Sequence, residues 1–430
     1  MAVSARSIVA FFASAYVLSF VDRQILSLLI TPIKTQLALS DLQFALLNGL
    51  AFALLYSFLG LPIAALSDRM ARPPIIVAGI VIWSIATIAC GFSQNFSELF
   101  LARMGVGVGE AALVPAVYSF LADIVSRDRL GRTLALFSLG SFIGAGIAFL
   151  CGGALIGLLH DARTWHGIEP WKLCFIAVGL PGLPLAGLIA CLVREPQHRT
   201  FSRSCAEYGA AWSFFKTQPT FYTLHFLGYA ATAILLFSIL SWMPAFFLRD
   251  RHFSHRTVGD IMGVVAIVCG CAGAYTSGRL IDALGTRGIA HPAARVGISG
   301  TLAAATLLVM AIVVPSNTLC IILFAGAFFF AAFPMPPSAI VLQQTVPKAL
   351  RAQFSAVLLL CNALIGLSAG SMLIGFLDDH AFRQNTGIAS SLIVVAGSSG
   401  FIAALLIYAS TKFHQQQGFA IAKVQGGKVT

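Results

Sequence analysis

Twelve stretches of this chain are apolar over roughly 20 to 28 residues. An α-helix needs about 20 such residues to cross the hydrocarbon core of a bilayer. The first six run over Ser7–Ile30, Gln43–Leu66, Pro74–Phe92, Ser97–Ala122, Thr133–Leu159 and Trp171–Val193. The last six run over Thr220–Leu248, Thr257–Leu280, Ala293–Val314, Thr318–Leu342, Ala352–Phe376 and Ile388–Thr411. Only 10% of the 430 residues are charged, and the mean hydropathy is +0.89. Soluble domains carry about 25% charge, so the composition alone requires an integral membrane protein. The runs are helix-length and lack strict alternation, which excludes an outer-membrane β-barrel and leaves an all-α fold.

Charge placement orients the spans. Of the 27 lysines and arginines, 18 fall in the loops that are cytoplasmic if the N-terminus is, and seven fall in the opposite loops. This bias reads as a multi-pass protein of the cell (inner) membrane with both termini in the cytoplasm. The formal charge of +11 therefore reflects topology, and nucleic acid is excluded as a partner. The first apolar run is too long for a signal-peptide core and no cleavage site follows it. Nine cysteines are scattered without metal-ligand spacing, so no metal and no disulfide framework is expected. No nucleophile–base motif or phosphate loop is visible, so neither an enzymatic activity nor a cofactor is expected.

The longest polar interruption lies at 194–216. It divides the chain into a six-helix bundle at 1–193 and a second at 217–414, with a cytoplasmic tail at 415–430. A repeat supports this division. Asp68 follows the second span within Ala64-Ala-Leu-Ser-Asp68-Arg69-Met-Ala71-Arg72, and Asp282 follows the eighth within Gly278-Arg279-Leu-Ile-Asp282-Ala-Leu-Gly285-Thr-Arg287. Each Asp has a small residue four before it, another three after it, and basic neighbours. Parallel halves of this kind are one of the repeat arrangements used by transporters.

The fourth span holds the most expensive residues in the chain. Within Leu101–Pro115, Arg103 and Glu110 are two helical turns apart and face the same way, about 10 Å apart along the axis. Gly105, Gly107 and Gly109 thin the helix between them, so a neighbouring backbone or a ligand can approach. Charges at membrane depth normally serve a pathway, although a purely structural interhelical bridge is the alternative. In the first span Asp22 lies roughly 12 Å deep, level with Arg103, while Glu110 lies about 20 Å deep. Asp22 and Arg103 can pair if their spans are neighbours, and Glu110 then has no cation except through water or Arg23. The alternative for Asp22 is an interfacial charge, with Arg23 reaching outward to water.

These residues resemble the major facilitator superfamily over nearly the whole chain. The loop Asp68-Arg69-x-Ala71-Arg72 is similar to the family's signature between spans two and three, with Ala64 and Ala71 in place of its glycines. The stretch from Arg103 to Glu110-Ala111, with Val21-Asp22-Arg23, resembles the Spinster-like branch in particular. The resemblance implies twelve helices in two pseudo-symmetric bundles and a proton-driven carrier of lipid-like or amphiphilic anions. It also implies coupling roles for Asp22, Glu110 and Arg103. The antiporter motif of span five lacks its proline, which leaves symport and antiport equally open.

The expected mechanism follows from these charges. Protonation of Asp22 or Glu110 frees Arg103 to hold an anionic head, and the two halves rock around that site. Trp242 and Phe333, from the aromatic-rich seventh and tenth spans, are expected to contact an apolar body. Asp68, Arg69, Arg72, Arg279 and Asp282 are expected to gate the cytoplasmic side by pairing between helix ends. Met243-Pro244 and Pro334-Met-Pro336-Pro337 should kink spans seven and ten. His225 is expected to meet lipid headgroups. The expected partners are a small-molecule or lipid-like substrate, protons and membrane lipids, with the protein a monomer. A carrier of small organic anions and an uncoupled facilitator are the nearest rivals.

Overall fold

The computed structural model describes residues 4–160, 169–196, 208–347, 350–382 and 387–426. These are helical throughout, with twelve helices long and apolar enough to cross a membrane. In chain order the spans are Ala5–Leu28, Asp41–Gly60, Arg72–Phe92, Phe96–Ile124, Arg129–Gly157 and Pro170–Leu192, then Pro219–Arg249, His255–Thr286, Pro292–Val313, Asn317–Thr345, Gln353–His380 and Ile388–Phe413. Below they are numbered one to twelve, and the face whose loops are rich in Lys and Arg is called inner.

Local chemistry explains where the spans begin. Ser40 opens span two with a capping box, its hydroxyl accepting from the Gln43 N–H while the Gln43 side chain accepts from the Ser40 N–H. Ser254 opens span eight, Asn95 span four and Ser316 span ten, each with a side-chain oxygen on a first-turn N–H. Spans six and nine instead begin with proline, and span three carries Pro73 and Pro74 directly after Arg72, where a missing N–H costs nothing. The repeat extends to these starts, because Ser40 and Ser254 are separated by the same interval as Asp68 and Asp282.

Corresponding spans also share their irregularities. Span four is interrupted at Ala111–Ala112, directly after Glu110, and span ten at Ala332–Pro334. Proline causes both, since Pro115 and Pro336–Pro337 cannot donate to the carbonyls one turn back. Pro244, by contrast, sits within one uninterrupted helix from Pro219 to Arg249. Spans two, eight and eleven each carry a wide π turn, at Leu46–Leu50, Ala266–Gly270 and Asn362–Ala369.

The chain groups into two compact units that do not follow the two halves of the sequence. One comprises Met1–Cys205, Ser238–Cys271 and Leu367–Leu392, and the other Ala206–Phe237, Ala272–Gly366 and Ile393–Thr430. In the first unit, small residues let helices from distant parts of the sequence touch backbone to backbone. A Cβ on Gly153 would stand 2.9 Å from the Gly259 Cα, and one on Gly49 2.9 Å from the Ser368 Cα. Span five thus packs on span eight, and span two on span eleven. The second unit has its own core of Phe221, Tyr222, Phe226, Tyr229, Leu342, Phe354, Leu358 and Ile407. Of the 194–216 interruption, Tyr208–Phe215 is a short helix and residues 197–207 lie outside the described residues.

Candidate functional site

Asp22, Arg23, Arg103 and Glu110 come together in the first unit, all buried. Glu110 is paired with Arg23, whose Nη2 lies 2.5 Å from Oε2. Arg103 does not pair with the Asp22 carboxylate. Its Nη1 donates to the Asp22 main-chain oxygen at 3.2 Å, while Thr87 Oγ1 donates to Asp22 Oδ2 at 3.0 Å. The expected depth match between Asp22 and Arg103 therefore holds, but through the backbone. The alternative in which Arg23 reaches out to water is corrected, because this side chain is only 9% exposed and turns inward to Glu110. Phe20, Phe52 and Tyr56 line the Arg23 guanidinium, their ring centres 4.6, 4.2 and 5.5 Å from Cζ. Aromatic faces of this kind attract a cation that has left water.

The glycines explain how so much charge fits between helices. A Cβ on Gly109 would meet Trp83 N at 2.5 Å and Gly79 O at 2.6 Å, so span four lies directly against the backbone of span three. Gly107 abuts the carbonyl of Phe52 on span two, the residue whose ring covers Arg23. Close approach thus serves neighbouring helices, and it continues past the break, where Ala112 lies against Gly79.

Hydrogen-bonding capacity remains at this site. Among the described residues, Asp22 Oδ1, Glu110 Oε1, Arg23 Nε, and Arg103 Nε and Nη2 have no partner. Two carboxylates and two guanidiniums thus each keep a polar atom uncommitted. Thr87 escapes sequence reading because a lone hydroxyl in an apolar helix carries no signal by itself.

The other expected residues are distributed elsewhere. Trp242 is fully buried, its Nε1 donating to Ser371 Oγ at 3.1 Å and its ring edge-on to Phe44. Phe333 packs in the second unit against Phe329, Phe330 and Gly300, and its carbonyl accepts from Ser277. His225 is buried, with Nε2 3.1 Å from the Ser338 carbonyl, and it lines a cavity at the inner end of the second unit.

On the inner face Arg72 is fully buried and tied to two helix ends. Glu195 takes its backbone N–H at 2.7 Å and its Nε at 2.8 Å, and Asp123 lies 2.7 Å from Nη2. Arg279 and Asp282 are exposed. Arg279 reaches only Tyr275 on its own helix, and among the described residues neither has an ion pair to another helix. Asp68 and Arg69 end their helix, with side chains outside the described residues.

An outer cluster was not foreseen. Asp41 pairs with Lys34 at 2.5 Å and with Arg249 at 3.0 Å, and Asp379 accepts the backbone N–H groups of Asp41 and Leu42 at 3.0 and 2.7 Å. It ties the outer ends of spans two, seven and eleven within the first unit. Beside it, burial pushes the Asp250 carboxyl above its ordinary value, while the Ala389 N–H and Arg249 hold it down.

The model of the Major Facilitator Superfamily matches residues 12–371. The chain belongs to this superfamily. It is 29% identical to an MFS-type efflux pump of Mycolicibacterium smegmatis over 88% of its own length and 86% of that protein. It is also 29% identical to the rat protein spinster homolog 1, over 54% of this chain and 44% of the longer relative. A solved bacterial homolog of the human lysosomal transporter Spinster, in an inward-facing and unoccupied conformation, superposes with a TM-score of 0.76 at 25% identity over 95% of both chains. This superfamily member is thus a twelve-span transporter of the Spinster-like branch, not an enzyme.

Proposed function

We propose that this transporter is a proton-coupled secondary carrier of an organic anion with an apolar body. The observation that supports this is the state of Arg103. Its guanidinium is fully buried, yet two of its nitrogens have no acceptor among the described residues. A buried charge without full compensation is costly, and an anionic substrate head supplies what is missing. Glu110 is the proposed proton carrier. A proton on its carboxyl neutralises one member of the Arg23–Glu110 pair and releases a second guanidinium toward the substrate. The aromatic rings around Arg23 offer a surface for an apolar body. Exchange between the charged and neutral pair then biases the two halves, 1–193 and 217–414, between their alternating-access positions.

The direct test is proton movement in proteoliposomes carrying wild type or Glu110→Gln, challenged with lysolipids and with small organic anions. Substrate-evoked proton flux in wild type that is lost in Glu110→Gln supports the coupling role and reports the substrate class. One observation favours a second reading. Glu110 already has a cation, as a structural pair would, and an uncoupled facilitator follows if substrate flux continues unchanged after the pH gradient is collapsed.

A further inference from the structure

The inner end of the second unit contains a cavity of about 280 Å³, and the two halves of the chain treat this position in opposite ways. In the first half, the N-terminus of span three is closed by acids from the ends of its neighbours. Glu195, just after span six, accepts the Arg72 N–H, and Asp123, in the last turn of span four, joins it on the Arg72 side chain. The equivalent start in the second half is Pro292 of span nine, and no side-chain cap closes it. The ends of the equivalent spans ten and twelve bring Gln344, Thr345, Thr411 and Lys412 to the same place, and no carboxylate. The chain has no Asp or Glu between Asp282 and Asp378, and none after Asp379.

We infer that this position binds a phosphate group supplied from outside the chain, carried either by an inner-leaflet lipid or by a soluble phosphate compound. Three observations converge on it. The first-turn N–H groups of Ala293 and Ala294 have no carbonyl one turn back, both residues line the cavity, and the helix dipole there favours an anion. Tyr229 also lines it, 2% exposed, and its hydroxyl has no partner among the described residues. The cavity continues into a groove of about 380 Å³ that shares His291, Ala294 and Thr411 with it and adds Arg295, Lys412 and Tyr408. Arg295 and Lys412 are exposed at its mouth, between spans nine and twelve, where a headgroup can approach sideways. Basic pockets between transmembrane helices are recurrent sites for anionic headgroups.

The test uses the full-length protein and does not depend on transport. Phosphatidylglycerol and phosphatidylcholine retained by the purified protein are counted by native mass spectrometry, and thermal unfolding is followed with added inorganic phosphate. Selective retention of phosphatidylglycerol, weakened roughly fivefold for each cation removed in Arg295→Ala and Lys412→Ala, assigns the site to a lipid. Protection by inorganic phosphate, sensitive to the same two substitutions and without selective lipid retention, assigns it to a soluble phosphate compound. Thr411→Glu supplies a carboxylate in cis, as Glu195 does in the first half. It should raise the unfolding temperature without ligand and abolish the response to ligand. Unselective lipid retention with no phosphate effect, or responses that Arg295→Ala, Lys412→Ala and Thr411→Glu all leave unchanged, overturns the inference.

Discussion

Replacing Arg23 with Gln isolates the pair at the centre of the first unit. In wild type its Nη2 lies 2.5 Å from Glu110 Oε2, with 9% and 1% of the two side chains exposed. Removing the cation leaves a carboxylate buried without compensation, and such losses cost about 3–5 kcal/mol. Glu110→Gln strands the guanidinium in the same way. The double variant strands neither, so its cost falls well below the sum of the single costs. The coupling expected from the cycle is about 3 kcal/mol, the upper end for residues in direct contact. The aromatic contacts of Arg23 with Phe20 and Phe52 are lost in both arms that lack Arg23, so they cancel from the cycle. Reversible unfolding in mixed micelles, compared across the four proteins at one pH, measures the coupling. A coupling below about 1 kcal/mol, with both single variants near wild type, refutes the pairing as an energetic unit.

Other perturbations are equally specific. Gly109→Ala places a Cβ against backbone atoms of Trp83 and Gly79 that have no side-chain freedom to yield, and should cost about 1–3 kcal/mol by thermal unfolding. Glu195→Gln removes the charge that closes span three at its start and should destabilise the inner end of the first unit, seen as faster hydrogen exchange at the Arg72, Ile75 and Ile76 amides. Arg249→Ala leaves Asp41 with Lys34 alone and should speed exchange over residues 41–45, with a stability loss of about 1–3 kcal/mol. Asp250→Asn tests a pH dependence. The native carboxyl titrates above its ordinary value, so its contribution to stability is present at low pH and lost as pH rises through the native value. Asparagine removes that loss, so the variant should gain on wild type at neutral pH and match it below the ordinary carboxylate range.

The spans were legible because length and apolarity are one-dimensional properties. The twelve runs read from sequence overlie the twelve helices, and their ends differ by a few residues where caps such as Ser40 and Asn95 set the start. The depth of a charge is legible too, at 1.5 Å per residue, and this brought Asp22 level with Arg103. The face a charge takes is not. Asp22 and Arg23 are adjacent in sequence but about 100° apart around the helix, and only packing against spans three and four decides that Asp22 meets Thr87 while Arg23 meets Glu110. The three glycines announced close approach without naming the backbones of Phe52 and Trp83 as what approaches. The outer cluster was hidden more deeply, because Arg249 and Asp41 are 208 residues apart and each resembles an ordinary helix-end charge.

The wide turn at Leu46–Leu50 gives span two one residue more than a regular α-helix would fit into the same rise. The helix beyond it, up to Asp41, is thereby set out of phase with the part that carries Phe52 and Tyr56. Deleting a single residue inside this turn would restore regular winding without removing any charge. It would also rotate everything outward of the turn by about 100° and swing the Asp41 carboxylate off Lys34 and Arg249. The ionic tie at the outer end is therefore a matter of helical phase as much as of composition, and span two can lose it with every partner still in place.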